Sequence, residues 1–154
     1  MLLPEKAFSE VIDRTPLVSI DLIIMNDNQE FLLGLRKNRP AAGFWFVPGG
    51  RVLKNERLEA AFRRLTENEL GTQFSLSEAR SIGNFEHFYE NSVFSESIST
   101  HYIVLAYMLR SADLKSLPSE QHEAYRWLRK TDLLASQDVH EYSKAYFRGA
   151  DFTK

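Results

Sequence analysis

The amino-acid sequence predicts an α/β fold, specifically an α/β/α sandwich in which helices cover both faces of a mixed β-sheet. Runs rich in β-branched, aromatic and other apolar residues, each of strand length, stand at 17–25 and 99–109. Residues 58–70 instead carry apolar side chains at the period of a helix. With 154 residues, 44% of them hydrophobic, the chain has enough apolar sequence for one core, and it contains no internal repeat. We therefore expect one domain over residues 17–150, preceded by a short N-terminal segment.

The N-terminal segment, residues 1–16, is predicted to form a helix from Pro4 to Asp13 that ends before Pro16. Its apolar side chains are Leu2, Leu3, Phe8 and Val11. Because an apolar helix face is unfavourable in water, we expect this helix to dock, either on a partner subunit or on its own domain. In the first case the protein is a homodimer.

The first half of the domain reads as strands separated by turn residues. The sequence NDNQ is typical of a turn, so the strands on either side of it are expected to form a hairpin. In chain order we expect a strand at 17–25, the turn at 26–29, a strand at 30–35, a loop at 37–43, and a short strand at 44–47 that leads into Pro48-Gly49-Gly50.

The helix over residues 58–70 is predicted from the spacing of Leu58, Ala61, Phe62, Leu65 and Leu70. We expect it to begin near Asn55 or Glu56 and to end at Gly71, which can adopt the left-handed conformation of a helix C-terminus.

The second half of the domain is predicted to contain two long strands, a short strand and a closing helix. The second long strand is hydrophobic throughout, which is typical of a central strand covered on both faces. The expected elements are strands at 79–89 and 99–109 joined by a polar loop at 90–98, a strand at 125–128, and a helix at 139–147.

Composition excludes several classes of protein. A net charge of -2 does not provide the positive surface that nucleic acids require, and without cysteine the chain forms neither disulfides nor thiolate metal sites. No apolar run reaches the roughly 20 residues that span a bilayer, and the N-terminus does not have the pattern of a secretory signal. We therefore expect a cytoplasmic protein that neither binds nucleic acid nor crosses a membrane.

A motif stands at the centre of the chain, in the segment FWFVPGGRVLKNERLEAAFRRLTENELG, residues 44–71. Its glycines, glutamates and arginine match the spacing of the box that defines the Nudix hydrolases, so the chain resembles that family, and the resemblance implies a Nudix-type sandwich. The matching positions are Gly50, Glu56, Arg64, Glu69 and Gly71.

Two positions of the box lack the expected carboxylate, because Leu65 and Asn68 stand where the family has glutamate. Glu67 does not replace them, since helix residues two apart point in different directions, whereas Leu65 and Glu69 share a face. One carboxylate with substrate phosphates suffices for Mg²⁺, so the sequence favours a single metal ion over the cluster of ordinary Nudix enzymes. Leu65 can alternatively be a plain core residue.

The same departures are found in one Nudix branch, the GDP-mannose mannosyl hydrolases, which this chain resembles from about Phe8 to Tyr146. The resemblance is carried by PLVSIDLII, LLGLRKNRPAAGFWFVPGGRV, RLTENELG, HFYE, THYIVL and LPSEQHEAYRWL. It implies hydrolysis of GDP-mannose, with GDP-glucose as a second candidate substrate, to GDP and free sugar with one Mg²⁺ per site.

The resemblance also implies the residues of the site. His122 would be the general base, and the metal would be held by Gly49 through its carbonyl, by Glu69 and by Gln121. The remaining implied residues contact the diphosphate, the sugar or the leaving group, and they are Asp21, Arg36, Arg51, His87 and Tyr102.

The chemistry of these residue types agrees with attack of water on the sugar carbon. Such a reaction needs a base with a pKa near neutrality, as histidine has, and positive charge around the departing diphosphate, which arginines supply. A single displacement of this kind inverts the anomeric configuration. Attack at phosphorus, as in ordinary Nudix pyrophosphohydrolases, and a non-catalytic domain that binds a nucleotide sugar are the alternatives.

Several of these residues also have structural explanations. Asp21 lies inside a hydrophobic strand, where an unpaired charge is costly, so a functional role is expected for it. His87 and Tyr102 lie in strands and are consistent with core positions, while Arg64 is expected to hold the loop onto the helix through Glu56. Phe8 and Tyr102 are candidates for stacking on the purine.

Overall fold

A mixed β-sheet of seven strands forms the centre of the protein, whose computed structural model describes residues 3–111, Leu114, Leu117, 122–149 and Phe152, with His122 and Glu123 described by their backbone alone. Five strands follow the order β3-β2-β1-β6-β5, β4 pairs with β1, and β7 pairs with β2. The strands are β1 (Leu17–Met25), β2 (Glu30–Arg36), β3 (Trp45–Phe46), β4 (Gly49–Arg51), β5 (Arg80–Tyr89), β6 (Thr100–Arg110) and β7 (His122–Arg129).

Helices lie on both faces of the sheet, as predicted. Side chains alternate along β1, so that Ile20, Leu22 and Ile24 join the core under one helical layer and Ile23 and Met25 join the core under the other. The helices are α1 (Glu5–Arg14), α2 (Leu58–Leu70), α3 (Lys130–Ala135) and α4 (Glu141–Ala145). Residues of α2 belong to the first core, and residues of α3 and of the segment around α4 belong to the second.

The register of the sheet determines where the site forms. Strands β1 and β6 run parallel over their whole length, from Leu17 opposite Tyr102 to Met25 opposite Arg110. Among the described residues, β1 pairs with β2 only at Met25 and Phe31, whereas residues 19–21 of β1 pair with β4. The hairpin predicted for β1 and β2 is therefore confirmed at its closed end, and β4 occupies the open end beside β1.

Helix α2 spans the residues predicted from its periodicity and ends at Gly71, which has a φ of 76°. Its start corrects the expectation of Asn55 or Glu56, because Arg57 precedes the first helical residue. Glu56 remains outside the helix since its carboxylate accepts hydrogen bonds from the Leu53 amide and from Arg64.

Three short elements were not predicted from the sequence, and two others differ in length. The unpredicted ones are β4, α3 and a 3₁₀ turn at Leu76–Glu78. Strand β7 is longer than the predicted strand at 125–128, and α4 is shorter than the predicted helix at 139–147. Each unpredicted element is six residues or fewer, too short for a periodic pattern to develop.

The N-terminal helix α1 packs on its own domain in this structure. Ile12 is buried, and the Phe8 ring meets the Phe94 ring edge to face at 5.8 Å between centroids. The guanidinium of Arg51 lies 4.0 Å from the centre of the Phe8 ring. Docking on a partner subunit, and with it the homodimer, stays a prediction. Within the described residues, none of the helices is both long enough and apolar enough to cross a membrane.

Candidate active site

A cavity opens on the α4 side of the sheet where β4 lies beside β1. It encloses about 540 Å³, its open mouth included. Its lining is Ser19, Asp21, Arg36, Phe46, Val47, Gly49, Gly50, Arg51, His87, Tyr89 and Tyr102. Six of the predicted site residues thus meet at one place, although they come from five different strands and are far apart in sequence.

A second cavity adjoins the first and shares Arg36 and Tyr102 with it. It encloses about 430 Å³ between α1, the loop after β2 and the loop between β5 and β6. Phe8, the remaining predicted contact residue, lines this second cavity. The two cavities therefore lie side by side, and Arg36 and Tyr102 contribute to the walls of both.

Asp21 is held inside the first cavity by close contacts. The hydroxyl of Tyr146 donates a hydrogen bond to its Oδ2. On its other side, a Cβ added to Gly49 would come 2.4 Å from Oδ1 of Asp21, so the backbone of β4 approaches the carboxyl as only glycine allows. Burial raises the pKa of Asp21 to about 7, the Tyr146 hydrogen bond and Arg36 lower it, and Glu69 raises it.

His87 lies on β5 and is buried. Its Nε2 is 3.2 Å from the Tyr146 hydroxyl oxygen, and its ring stacks on the Tyr142 ring at 4.3 Å between centroids with an angle of 6° between the planes. Burial, and secondarily the charge of His140, lowers the pKa of His87 to about 4. The imidazole is therefore neutral at pH 7.

Two arginines supply positive charge to the cavity. Arg36 ends β2, and its guanidinium lies over the Phe46 ring at 5.3 Å. Its Nε is buried and has no hydrogen-bond partner among the described residues, so a donor is available for an anionic ligand. Arg51 belongs to β4, and although burial lowers its pKa, an arginine stays protonated at neutral pH.

The loop before α2 is fastened by the predicted pair of Glu56 and Arg64. Nε of Arg64 donates to Oε2 of Glu56 at 2.8 Å, and a terminal nitrogen of Arg64 lies 2.9 Å from the other carboxylate oxygen. The same nitrogen donates to the carbonyl of Arg51 at 2.8 Å. Arg64 therefore has the structural role expected for it, and it fixes the backbone of a residue that lines the cavity.

The altered positions of the box have a clear structural explanation. Leu65 is 4% exposed, packs in the core, and its Cδ2 would be 2.4 Å from a Cβ on Gly50. Glu69, one turn later on the same face, is 5% exposed. Glu67 instead points to solvent and accepts a hydrogen bond from Gln73 at 3.0 Å, and Asn68 is exposed. Leu65 is thus a core residue, and of these positions only Glu69 keeps a carboxylate on the inner face.

The predicted metal ligands are described in part. Gly49 lines the cavity, while Glu69 does not line either cavity but lies near enough to Asp21 to raise its pKa. Gln121 lies outside the described residues. A glutamate, a backbone carbonyl and an amide are oxygen donors, which suit Mg²⁺. Over the described part of the chain, no group of three or more His, Cys, Asp or Glu side chains is arranged to hold a metal ion.

The predicted base, His122, is placed only by its backbone. His122 is the first residue of β7, and its backbone pairs with that of Arg36 on β2. A register shift between Gly34 and Arg36 separates this pair from the rest of the ladder. The backbone of His122 therefore lies beside a residue that lines both cavities.

Sequence reasoning missed several residues of the site. Tyr146 and Tyr142 contact Asp21 and His87, and both come from the segment of α4, which carries no motif. Their spacing of four residues was visible, but it is equally typical of a helix packed on a core. Ser19, Phe46 and Tyr89 line the cavity without any sequence signal. His140, assigned no role, stacks on Phe46 at 4.6 Å and is part of the packing.

The comparisons with known proteins agree with this architecture. The model of the NUDIX domain family matches residues 15–148. The low-salt glycan biosynthesis protein Agl8 of Haloferax volcanii is 35% identical over 149 residues, which are 97% of this chain and 91% of that protein.

Solved structures share the fold as well. A MutT NUDIX hydrolase from Burkholderia pseudomallei superposes with a TM-score of 0.70 at 26% identity, covering 90% of this chain and 100% of that one. The MutT protein from Methanosarcina mazei Go1 also gives a TM-score of 0.70, at 22% identity over 87% of this chain and 92% of that one.

Proposed function

The chain belongs to the NUDIX family of hydrolases, and from that premise we propose that it hydrolyses GDP-mannose, with GDP-glucose as a second candidate substrate, to GDP and free sugar by attack of water on C1 of the sugar. The observation that carries this proposal is the position of Leu65. Packed against Gly50 in the core, it occupies the place where the family motif has a metal-binding carboxylate.

Loss of that carboxylate bears on the choice of the atom that is attacked. Attack at phosphorus benefits from several metal ions that withdraw charge from the phosphoryl group and activate water. Attack at an anomeric carbon does not need such a cluster, because its transition state resembles an oxocarbenium ion and the diphosphate is a good leaving group. A site whose box retains Glu69 as its inward carboxylate fits the second reaction better.

The two arginines fit the role of stabilising the leaving group. Arg36 and Arg51 line the same cavity, and each is oriented by a ring, Phe46 and Phe8 respectively. The buried Nε of Arg36 needs an acceptor, and a phosphate oxygen is a suitable one. As the bond between C1 and the phosphate oxygen breaks, negative charge grows on the β-phosphate, and fixed cations lower the energy of that state.

Mg²⁺ would be held by Glu69, the carbonyl of Gly49 and Gln121. When bound, it supplies further positive charge beside the diphosphate. Asp21 lies near enough to Glu69 and to Arg36 for both charges to act on it, since Glu69 raises its pKa and Arg36 lowers it.

The proposed reaction is a single displacement that needs one general base. The oxygen of water forms a bond to C1 as the bond from C1 to the β-phosphate oxygen breaks, and GDP leaves with that electron pair. The proton of the attacking water passes to His122. Because water enters opposite the leaving group, the anomeric configuration is inverted.

The second cavity is suited to the nucleoside. Phe8 and Tyr102 both line it, and aromatic rings stack on purines. The similarity to a protein named for glycan biosynthesis supports a substrate that carries a sugar. The homodimer and the cytoplasmic location are further parts of this proposal.

Product analysis with two variants tests the proposal. The wild-type protein with Mg²⁺ is expected to convert GDP-mannose to GDP and mannose, whereas GMP and mannose phosphate would indicate an ordinary pyrophosphohydrolase. Binding without turnover would indicate a non-catalytic domain.

The His122→Gln variant is expected to lower kcat by about 10²-fold or more while the Kd for GDP stays within about twofold. The Glu69→Gln variant is expected to require more Mg²⁺ for half-maximal activity. Wild-type kcat in the first variant, or an unchanged Mg²⁺ dependence in the second, would disprove the corresponding role.

A further inference from the structure

Two tyrosines of the segment around α4 contact residues that line the first cavity. Tyr142 lies in α4 and Tyr146 follows its last residue, so the two are one turn apart. The Tyr142 ring stacks on the His87 ring. The Tyr142 hydroxyl accepts a hydrogen bond from the Phe88 amide at 3.0 Å and donates one to the Phe88 carbonyl at 2.9 Å. Tyr146 contacts Asp21 and His87 through its hydroxyl. One short segment thus touches two polar side chains of the cavity.

The α4 segment is fixed to the wall of the same cavity. The Val47 amide donates to Oγ of Ser143 at 3.1 Å, and the His140 amide donates to the carbonyl of Trp45 at 3.0 Å. Val47 itself lines the cavity. These two hydrogen bonds, from residues that precede Tyr146, therefore hold the segment that carries Tyr146 against the cavity wall.

The hydroxyl of Tyr146 has one proton for two neighbours. It donates that proton to Oδ2 of Asp21. Its 3.2 Å contact with Nε2 of His87 can then be a hydrogen bond only if Nε2 carries a proton and the tyrosine oxygen accepts it. This arrangement leaves Nδ1 of His87 as the unprotonated nitrogen of the neutral ring.

We propose that Tyr146 is a positioning residue of the active site, whose single hydroxyl aims the Asp21 carboxylate and fixes His87 in the tautomer that is protonated at Nε2.

A purely structural role would not require the hydroxyl. Tyr146 is 1% exposed and its ring packs edge to face on Phe85, a space that a phenylalanine ring would fill equally well. A buried hydroxyl is unfavourable unless it is hydrogen-bonded, and both partners of this one line the cavity. Its removal would leave the ring packed and would deprive both partners of their hydrogen bond to the hydroxyl.

The test uses the tautomer of His87 and the kinetics of GDP-mannose hydrolysis in the Tyr146→Phe variant. Histidine labelled with ¹⁵N reports by NMR which ring nitrogen carries the proton, and the His87→Gln variant assigns its signals among the four histidines of the chain. The spectra are taken without substrate at about pH 8.5, where a histidine is neutral. Tyr107→Phe is the matched control, since it removes a phenol hydroxyl beside Phe62 on the opposite face of the sheet.

The expected spectrum of the wild-type protein has His87 protonated at Nε2 alone. In Tyr146→Phe we expect a mixture of tautomers, whereas Tyr107→Phe retains the wild-type pattern. A wild-type His87 protonated at Nδ1, or an unchanged tautomer in Tyr146→Phe, overturns the inference. The wild-type spectrum decides the matter even if the variant folds poorly.

The kinetic measurement of the Tyr146→Phe variant rests on the proposed function. With GDP-mannose, Tyr146→Phe is expected to lower kcat about 10- to 100-fold with KM within about threefold, because misplaced groups slow the chemical step more than they weaken binding. An unchanged kcat overturns the positioning role. If the wild-type protein does not hydrolyse GDP-mannose, the proposed function fails, and the NMR result still decides how His87 is held.

Discussion

Asp21 is the residue at which function and stability conflict most. It lies in a buried strand, and burial raises the pKa of its carboxyl to about 7 from an ordinary value of 3.8. The ionised form is thus less favourable in the folded protein than in the unfolded chain. A buried ionisable group with a specific set of partners, at a cavity wall, is typical of functional sites.

The Asp21→Asn variant tests this effect through the pH dependence of the unfolding free energy. Because the folded-state pKa is the higher one, the carboxyl contributes its full stability below about pH 4, and that contribution is lost as pH rises through about 7. Asparagine does not titrate. Relative to wild type, the variant should therefore gain about 2 to 3 kcal/mol of unfolding free energy between pH 5 and pH 8.

Urea unfolding at both pH values measures this difference. His87, whose lowered pKa acts in the opposite direction between about pH 4 and pH 6.5, is present in both proteins and largely cancels in the comparison. A stability difference between variant and wild type that is the same at pH 5 and pH 8 would contradict the account of Asp21.

For single residues, the sequence predicts the polar side chains with a chemical role better than it predicts the side chains that position them. The resemblance to a Nudix branch singles out Asp21, Arg36 and His87, and the structure brings them to one cavity. Tyr146 was not found, because its contact with Asp21 joins positions 125 residues apart and depends on tertiary packing alone. A tyrosine in an amphipathic segment carries no local sign of such a partner.

Among the elements, α2 was predicted over its full length, and β4 was not predicted at all. Helix α2 has several turns of apolar spacing and ends at a glycine in the left-handed conformation. Strand β4 is Gly49, Gly50 and Arg51, residues with little intrinsic preference for a strand. It forms because β1 offers a free edge there, and glycine lets its backbone approach Ile20 and Asp21 closely.

The loop before α2 provides a test at the element scale. Arg64→Ala removes two hydrogen bonds to Glu56 and one to the Arg51 carbonyl, and it leaves a partly buried carboxylate without its partner. We expect a loss of about 1 to 3 kcal/mol in unfolding free energy. Since the Arg51 backbone is also released, kcat should fall as well.

Arg63→Ala is the matched control on the same helix. Its ion pair with Glu59 is 3.6 Å long and exposed, so the change should cost less than about 0.5 kcal/mol and leave kcat unaltered. Chemical denaturation of the two variants provides the comparison. Equal losses of stability would mean that the Glu56 and Arg64 pair does not anchor the loop.

For the whole molecule, the site occupies the region where β1 separates from β2 and β4 fills the gap. Strands β1, β5 and β6 provide Asp21, His87 and Tyr102, and the ends of β2 and β4 provide the two arginines. The fold class followed from the sequence, since long periodic segments specify the layers. The meeting of these side chains did not follow from periodicity, because it depends on the register between strands.

Hydrolysis of GDP-mannose in ¹⁸O-labelled water, with mass spectrometry of both products, shows which atom water attacks. If water attacks the sugar carbon, the label appears in mannose. With α-linked GDP-mannose, the first mannose formed is then the β-anomer. Label in GDP or in another phosphate product would instead place the attack at phosphorus and would disprove attack at carbon.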